Sequence, residues 1–209
     1  MLAGCVTNQR EIAQKAARLA SLMREGREVL VQSPFGTNLK FKLAGRKPVV
    51  GDSIVGQEDA VEGVVKFLPS GFVEVAPDEN SAEGRLLFDA PIPVRGGKRI
   101  QGLSLEFRHG KVVKYSAQTG IAAFENYIKS SKGDIDRFGF FGIGLNSGLK
   151  HGFTQDDKVL GGVTIGIGDN EDKGGKNRTR GNIHWWASMT RATLQIDNRL
   201  VLKDGVDVF

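Results

Sequence analysis

The amino-acid sequence predicts a β-rich α+β domain with largely antiparallel sheets, an N-terminal helix and a few packing helices. Three observations carry this. Apolar residues recur at three- and four-residue spacing near the start and again near residue 121; elsewhere short runs alternate with period two; and Gly, Pro and Asn punctuate those runs. The chain of 209 residues, 40% hydrophobic and 25% charged, is long enough to bury a core without staples and is read as one domain over 1–209.

In order along the chain, Ile12, Ala16, Leu19, Ala20 and Met23 form one apolar face over residues 10–24, and Gly26 stands where that helix would stop. Strands are predicted over 29–32, 39–43, 61–67, 72–75 and 85–89. Leu103, Leu105 and Phe107 alternate with polar neighbours, His109-Gly110 marks a turn, and Val112, Val113 and Tyr115 lead back, which is a hairpin pattern. Ile121, Phe124, Tyr127 and Ile128 define a second helix to about Ser131. Glycine-rich strands follow over 138–145, 162–168, 183–189 and 192–202, the last broken by an Asp197-Asn198 turn. No repeat or linker interrupts the pattern.

Composition narrows the function. The net charge of +5 arises from 29 basic and 24 acidic residues that are interleaved, so no electrostatic footprint for nucleic acid is expected. The densest basic run, Lys173, Lys176, Arg178 and Arg180, shares its loop with Asp169, Glu171 and Asp172 and reads as a solvated loop of mixed charge. The single cysteine excludes an internal disulfide and suits a reducing cytoplasm. No apolar run approaches the ~18 residues of a spanning helix, so no membrane partner is expected. Leu2-Ala3-Gly4-Cys5 imitates a lipidation site, but only Met1 precedes it, and we expect it to be fortuitous. Gly142-Ile143-Gly144-Leu145-Asn146-Ser147-Gly148 imitates a dinucleotide loop with its third glycine one residue late. There is no phosphate-cradling Gly-Lys-Ser/Thr loop and no Gly-x-Ser-x-Gly elbow.

A set of phrases in a fixed order carries more. Ser33-Pro34-Phe35-Gly36-Thr37-Asn38-Leu39 is followed by Ala44-Gly45-Arg46, Leu68-Pro69-Ser70-Gly71, Val75-Ala76-Pro77 and Ser81-Ala82-Glu83-Gly84. Later come Gly142-Ile143-Gly144-Leu145-Asn146, Asp157-Lys158-Val159-Leu160-Gly161-Gly162, Gly168-Asp169-Asn170 and Asn182-Ile183-His184. From about residue 10 onwards the sequence resembles the catalytic C-terminal portion of the thermophilic metal-dependent aminopeptidases of the T and S type. The resemblance implies that family's C-terminal-domain fold, without its N-terminal α/β domain, and a homodimer. It also implies two-metal hydrolysis, in which a metal pair polarises the peptide carbonyl and activates water.

The resemblance can be followed ligand by ligand. The family's Glu after the Leu-Pro-x-Gly phrase is here Phe72, and its Glu before the Leu-Gly-Ile-Gly phrase is Phe140. Its strand His is Thr164, and its final His-x-Asp pair reads His184-Trp185-Trp186, so one of five ligands remains. Aromatic rings offer a divalent cation no lone pair and fill the volume as apolar surface. Glu74, two residues after Phe72 on a strand, faces the same side and could substitute. His109 and His151 lie in Gly-flanked turns and read as surface residues.

The expected function is therefore a non-catalytic aminopeptidase-like domain that binds a peptide or partner protein, with no metal, no cofactor and no catalytic residue. A precursor or leader peptide in modified-peptide natural-product biosynthesis is the expected setting. The binding residues expected are Phe72, Glu74, Phe140, Thr164, His184, Trp185 and Trp186, with at least one tryptophan of the pair facing inwards as core. The alternative is an enzyme with a remodelled pocket, a peptide hydrolase or peptide-modifying enzyme. It would be metal-free or hold one metal at His184, with Glu74, Asp169 and Tyr115 as the other groups of usable chemistry.

Overall fold

The computed structural model describes residues 2–63 and 65–209. In chain order it contains α1 (Leu2–Cys5), α2 (Gln9–Glu25), β1 (Glu28–Gln32), β2 (Asn38–Lys42), β3 (Val49–Gly51), α3 (Gln57–Glu62) and β4 (Phe72–Val75). Next come β5 (Glu83–Leu87), β6 (Ile92–Pro93), β7 (Arg99–Ile100), β8 (Ser104–Arg108), β9 (Lys111–Ser116) and α4 (Ile121–Lys129). The remainder is β10 (Phe138–Gly144), β11 (Val163–Gly168), β12 (His184–Met189), β13 (Thr193–Ile196), β14 (Arg199–Lys203) and β15 (Val206–Asp207).

Helix α2 starts because the Asn8 side chain accepts the Glu11 N–H, relieving one orphan donor of the first turn. It buries Ile12, Ala16, Leu19 and Met23 on the predicted stripe. It ends at Gly26, where any side chain would run into Ile196 and Leu43. The two-residue hairpin turns His109-Gly110, Asp197-Asn198 and Asp204-Gly205 carry positive φ at each turn residue, the conformation that matches strand twist.

The strands form an eight-stranded sheet in the order β15-β14-β13-β1-β2-β5-β8-β9 and a five-stranded sheet in the order β12-β11-β10-β4-β3, with β6 and β7 as a separate ribbon. Every pairing between these strands is antiparallel. The two large sheets pack face to face: Phe41 lies 4.9 Å from Phe138 and 5.2 Å from Phe141, and Phe107 lies 5.6 Å from Phe138, ring centre to ring centre.

One predicted strand is corrected. Over 61–67 the chain instead finishes α3 at Glu62 and continues without strand pairing in its described residues. The Gly56 N–H is held by the Asp59 carboxylate at 2.8 Å, and Gly63 closes the helix in the left-handed conformation. Val61, Val65 and Phe67 are exposed, so the apolar run has no sheet to bury it. The edge of the five-stranded sheet is supplied by Val49–Gly51, which pairs with β4.

Candidate functional site at the outer face of the five-stranded sheet

Alternation on the five-stranded sheet separates two chemistries. Val73, Val75, Ile143, Val163, Ile165, Ile167, Ala187 and Met189 point into the core between the sheets. A bulge between Phe138 and Phe140 keeps Phe138 and Phe141 on that inner face while turning Phe140 outwards. The outer face carries Phe72, Glu74, Phe140, Thr164, His184, Trp186 and Ser188, with glycines between them. Those glycines make room: a side chain at Gly51 would strike the Phe72 ring, one at Gly142 the Glu74 stem, and one at Gly166 the Phe140 ring. Glu74, Gly142, Thr164 and Ser188 lie in one register line across four strands.

Two loops roof this face. The 3-10 turn Asp156–Lys158 packs over β10, β11 and β12. The segment after β11 is pinned by Asn177, whose Nδ2 donates to the carbonyls of Phe138 and Gly168, and by Asn170, which donates to Gly139 O. This pinning lays Lys173 over the site. Lys173 is only 8% exposed; its Nζ is 2.8 Å from Asp172 Oδ2, 3.7 Å from Glu74 Oε2 and 4.4 Å from the centre of the Phe140 ring. The expectation of a solvated loop is thus corrected at Lys173, which the Asn170 and Asn177 anchors turn inwards.

The charges follow from this packing. Burial pushes the Glu74 carboxyl up to about 7, and the neighbouring Asp157 and Asp172 add to the rise while Lys173 and Lys158 oppose it. Partial burial of the His184 ring, and next the Lys173 charge, hold that imidazole below its ordinary value. His184 stands edge-on to Phe140 at 5.6 Å. Thr164 and Ser188, both buried, share a hydrogen bond of 2.8 Å.

The other predicted residues divide by face. Trp185 turns to the core side, meeting Phe124 at 5.1 Å and Phe88 at 5.8 Å, whereas Trp186 stands on the outer face beside Gly166. Asp169 spends its oxygens on the N–H groups of Glu171 and Thr179. Tyr115 belongs to the other sheet, on β9, where it packs on Phe124. His151, expected at the surface, is half-buried with its Nδ1 unpartnered among the described residues, and burial lowers its pKa.

Two adjoining cavities open beside the outer face. A 220 Å³ cavity is walled by Ile92, Pro93, His184, Trp186, Ser188 and Asp156. It shares Pro93, Phe153 and Thr154 with a 680 Å³ cleft between Val94, Leu149 and Gln155. The sequence contains no sign of this cleft, because it is assembled from two loops and the first helix, far apart in the chain.

The family model described as thermophilic metalloprotease (M29) matches residues 5–147. A structure of 2,5-dihydroxypyridine dioxygenase from Pseudomonas putida KT2440 superposes with a TM-score of 0.81 at 21% identity, covering 99% of this chain and 62% of that one. Wild-type AmpT from Thermus thermophilus superposes with a TM-score of 0.73 at 18% identity, covering 94% of this chain and 53% of that one. The chain therefore spans between half and two thirds of the length of these two structures, and the likeness shows a shared fold. No curated protein matches the sequence.

A metalloprotease family implies a bound metal, and the residues here do not fit one. Among the described residues no three His, Cys, Asp or Glu side chains converge as a ligand set. The outer face offers the Phe72 and Phe140 rings, and the ammonium of Lys173 beside Glu74 would repel a divalent cation.

Proposed function

Since the chain belongs to the thermophilic metalloprotease (M29) family, we propose that it is an aminopeptidase-like domain that binds a peptide or partner protein without cutting it. The single observation carrying this is the Lys173 ammonium, set between Glu74 and the Phe140 ring on the face where the resemblance puts the family's ligands. An ion pair internal to the chain supplies positive charge there, and it has no open coordination position through which to polarise a carbonyl or activate water. A cleft remains beside this face, adjoining a smaller cavity that His184, Trp186 and Ser188 wall, and Phe72, Glu74, Phe140 and Thr164 lie on the same sheet face. In this reading the bound peptide is a precursor or leader segment in modified-peptide biosynthesis, and the protein works as a homodimer in the cytoplasm. No helix among the described residues is long and apolar enough to cross a membrane.

Elemental analysis of the purified protein, together with fluorogenic aminoacyl substrates in added zinc, cobalt or manganese, tests the reading. We expect neither stoichiometric metal nor turnover. Metal-dependent turnover abolished by His184→Ala would overturn it.

One observation favours a second reading, a metal-free peptide-modifying enzyme: Glu74, titrating near neutrality beside Lys173 and on the same sheet face as the Thr164–Ser188 hydroxyls, has the properties of a general acid or base. Its test is loss of a chemical change in bound peptide on Glu74→Gln.

A further inference from the structure

The 680 Å³ cleft has a composition that specifies its occupant. Its walls are apolar, from Val94, Leu149 and Phe153, and Phe153 is left 66% exposed. Its rim carries Lys98, Arg99 and Lys150, and among its described lining residues there is no carboxylate. None of these three cations is paired with an acid among the described residues. Gln155 also lines the cleft, and its Oε1, covered by the surrounding chain, accepts no hydrogen bond among the described residues. A buried acceptor left unpaired costs ~1–3 kcal/mol, so an N–H donor is the natural complement.

These features differ from the site on the sheet face, and they belong together: apolar wall, unopposed positive rim, one empty acceptor. We propose that this cleft binds an extended peptide segment with apolar side chains flanked by carboxylates, its backbone N–H donating to Gln155 Oε1 once that side-chain amide turns towards the cleft. The proposal rests on the reading of the protein as a peptide binder and adds which peptides it takes. Apolar side chains enter between Leu149 and Phe153, and the flanking carboxylates meet Lys98, Arg99 and Lys150 in long-range attraction that salt screens. A fatty acid also offers an apolar tail and a carboxylate but has no N–H for Gln155, which is why a peptide is favoured.

The test uses the full chain and fluorescein-labelled decapeptides that share a Leu-Phe-Leu centre and differ only in flanking Glu, Gln or Lys, read by fluorescence anisotropy. The Glu-flanked peptide should bind at least about tenfold tighter than the Lys-flanked one, a preference that shrinks with added salt. The exposed double substitution Lys98→Glu with Lys150→Glu should reverse that preference, and Gln155→Leu should weaken the Glu-flanked peptide without lowering the unfolding temperature, since it removes an unpaired buried acceptor. If all three peptides bind alike, or the double variant leaves their order as it was, this inference falls while peptide binding stands. If no peptide binds, both fall, and if dodecanoate alone binds and the double variant abolishes it, the cleft belongs to an amphiphile and the inference is overturned.

Discussion

At the scale of single residues, the most informative group is Glu74. Its carboxyl is pushed up to about 7 in the fold against an ordinary value of 4.5, so the folded state holds this proton where the unfolded chain releases it. Its contribution to stability is therefore complete below pH ~4.5 and is lost as pH rises through ~7, on the order of 3 kcal/mol. Urea titrations at a series of pH values should show stability falling over that window, with Glu74→Gln flattening the fall. Lys173→Met should act the other way. It leaves Glu74 without its nearest opposing charge, so the variant should lose on the order of 3 kcal/mol at pH 8 and much less at pH 5. Equal losses at both pH values would show that Lys173 acts through packing alone. The tryptophan pair gives a paired prediction: Trp185→Ala, which empties the space against Phe88 and Phe124, should lower stability by about 3 kcal/mol. Trp186→Ala should leave unfolding nearly unchanged and alter peptide binding. Reversal of that pattern in parallel melting and binding experiments would show the two rings to be assigned to the wrong faces.

At the scale of elements, the glycines of the outer sheet face are the sensitive points. A β-carbon at Gly166 would sit 2.1 Å from the Phe140 ring, so Gly166→Ala must move that ring and with it the Lys173 seat. We expect a loss of about 1–3 kcal/mol, the usual range for overpacking, and recovery of part of it on combining the change with Phe140→Leu. If a melting experiment finds no loss, the ring is not held where described. Elements were legible from the sequence where local pattern and packing agree. Helix α2 could be read because its stripe and its cap coincide, and the β8–β9 and β13–β14 hairpins because their turn residues demand positive φ. The segment over 61–67 could not, since an apolar run is a strand only if a neighbour exists to pair with it, and Gly56 with Asp59 sets up a helix instead. Of the site, sequence alternation placed Phe72 and Glu74 on one face. Lys173 was hidden: two asparagines, Asn170 and Asn177, draw it inwards through carbonyls of β10, far away in the chain, and of the end of β11. The cleft was hidden for the same reason, being a product of tertiary neighbours with no spacing rule of its own.

At the scale of the whole molecule, the fold should stand without metal. Chelation should leave the unfolding temperature within about 1 °C of its starting value, because nothing that binds only the native state is being withdrawn. A drop of several degrees, restored by one ion, would mean that ligands outside the described outer face hold a metal. The eight-stranded sheet carries a different consequence, one of timing. Val29 on β1 pairs with Ile196 on β13, and Glu28 O receives the Asp197 N–H, so the centre of this sheet is closed by the β13–β14 hairpin, far along the chain from β1. While a nascent chain is still growing, β1 and β2 have a neighbour on one side only, and the open flank of β1 is a strand edge bearing Val29 and Val31. Such long-range closure is slow, which makes the interval before β13 is synthesised the period in which this protein is most exposed to aggregation and most in need of a chaperone.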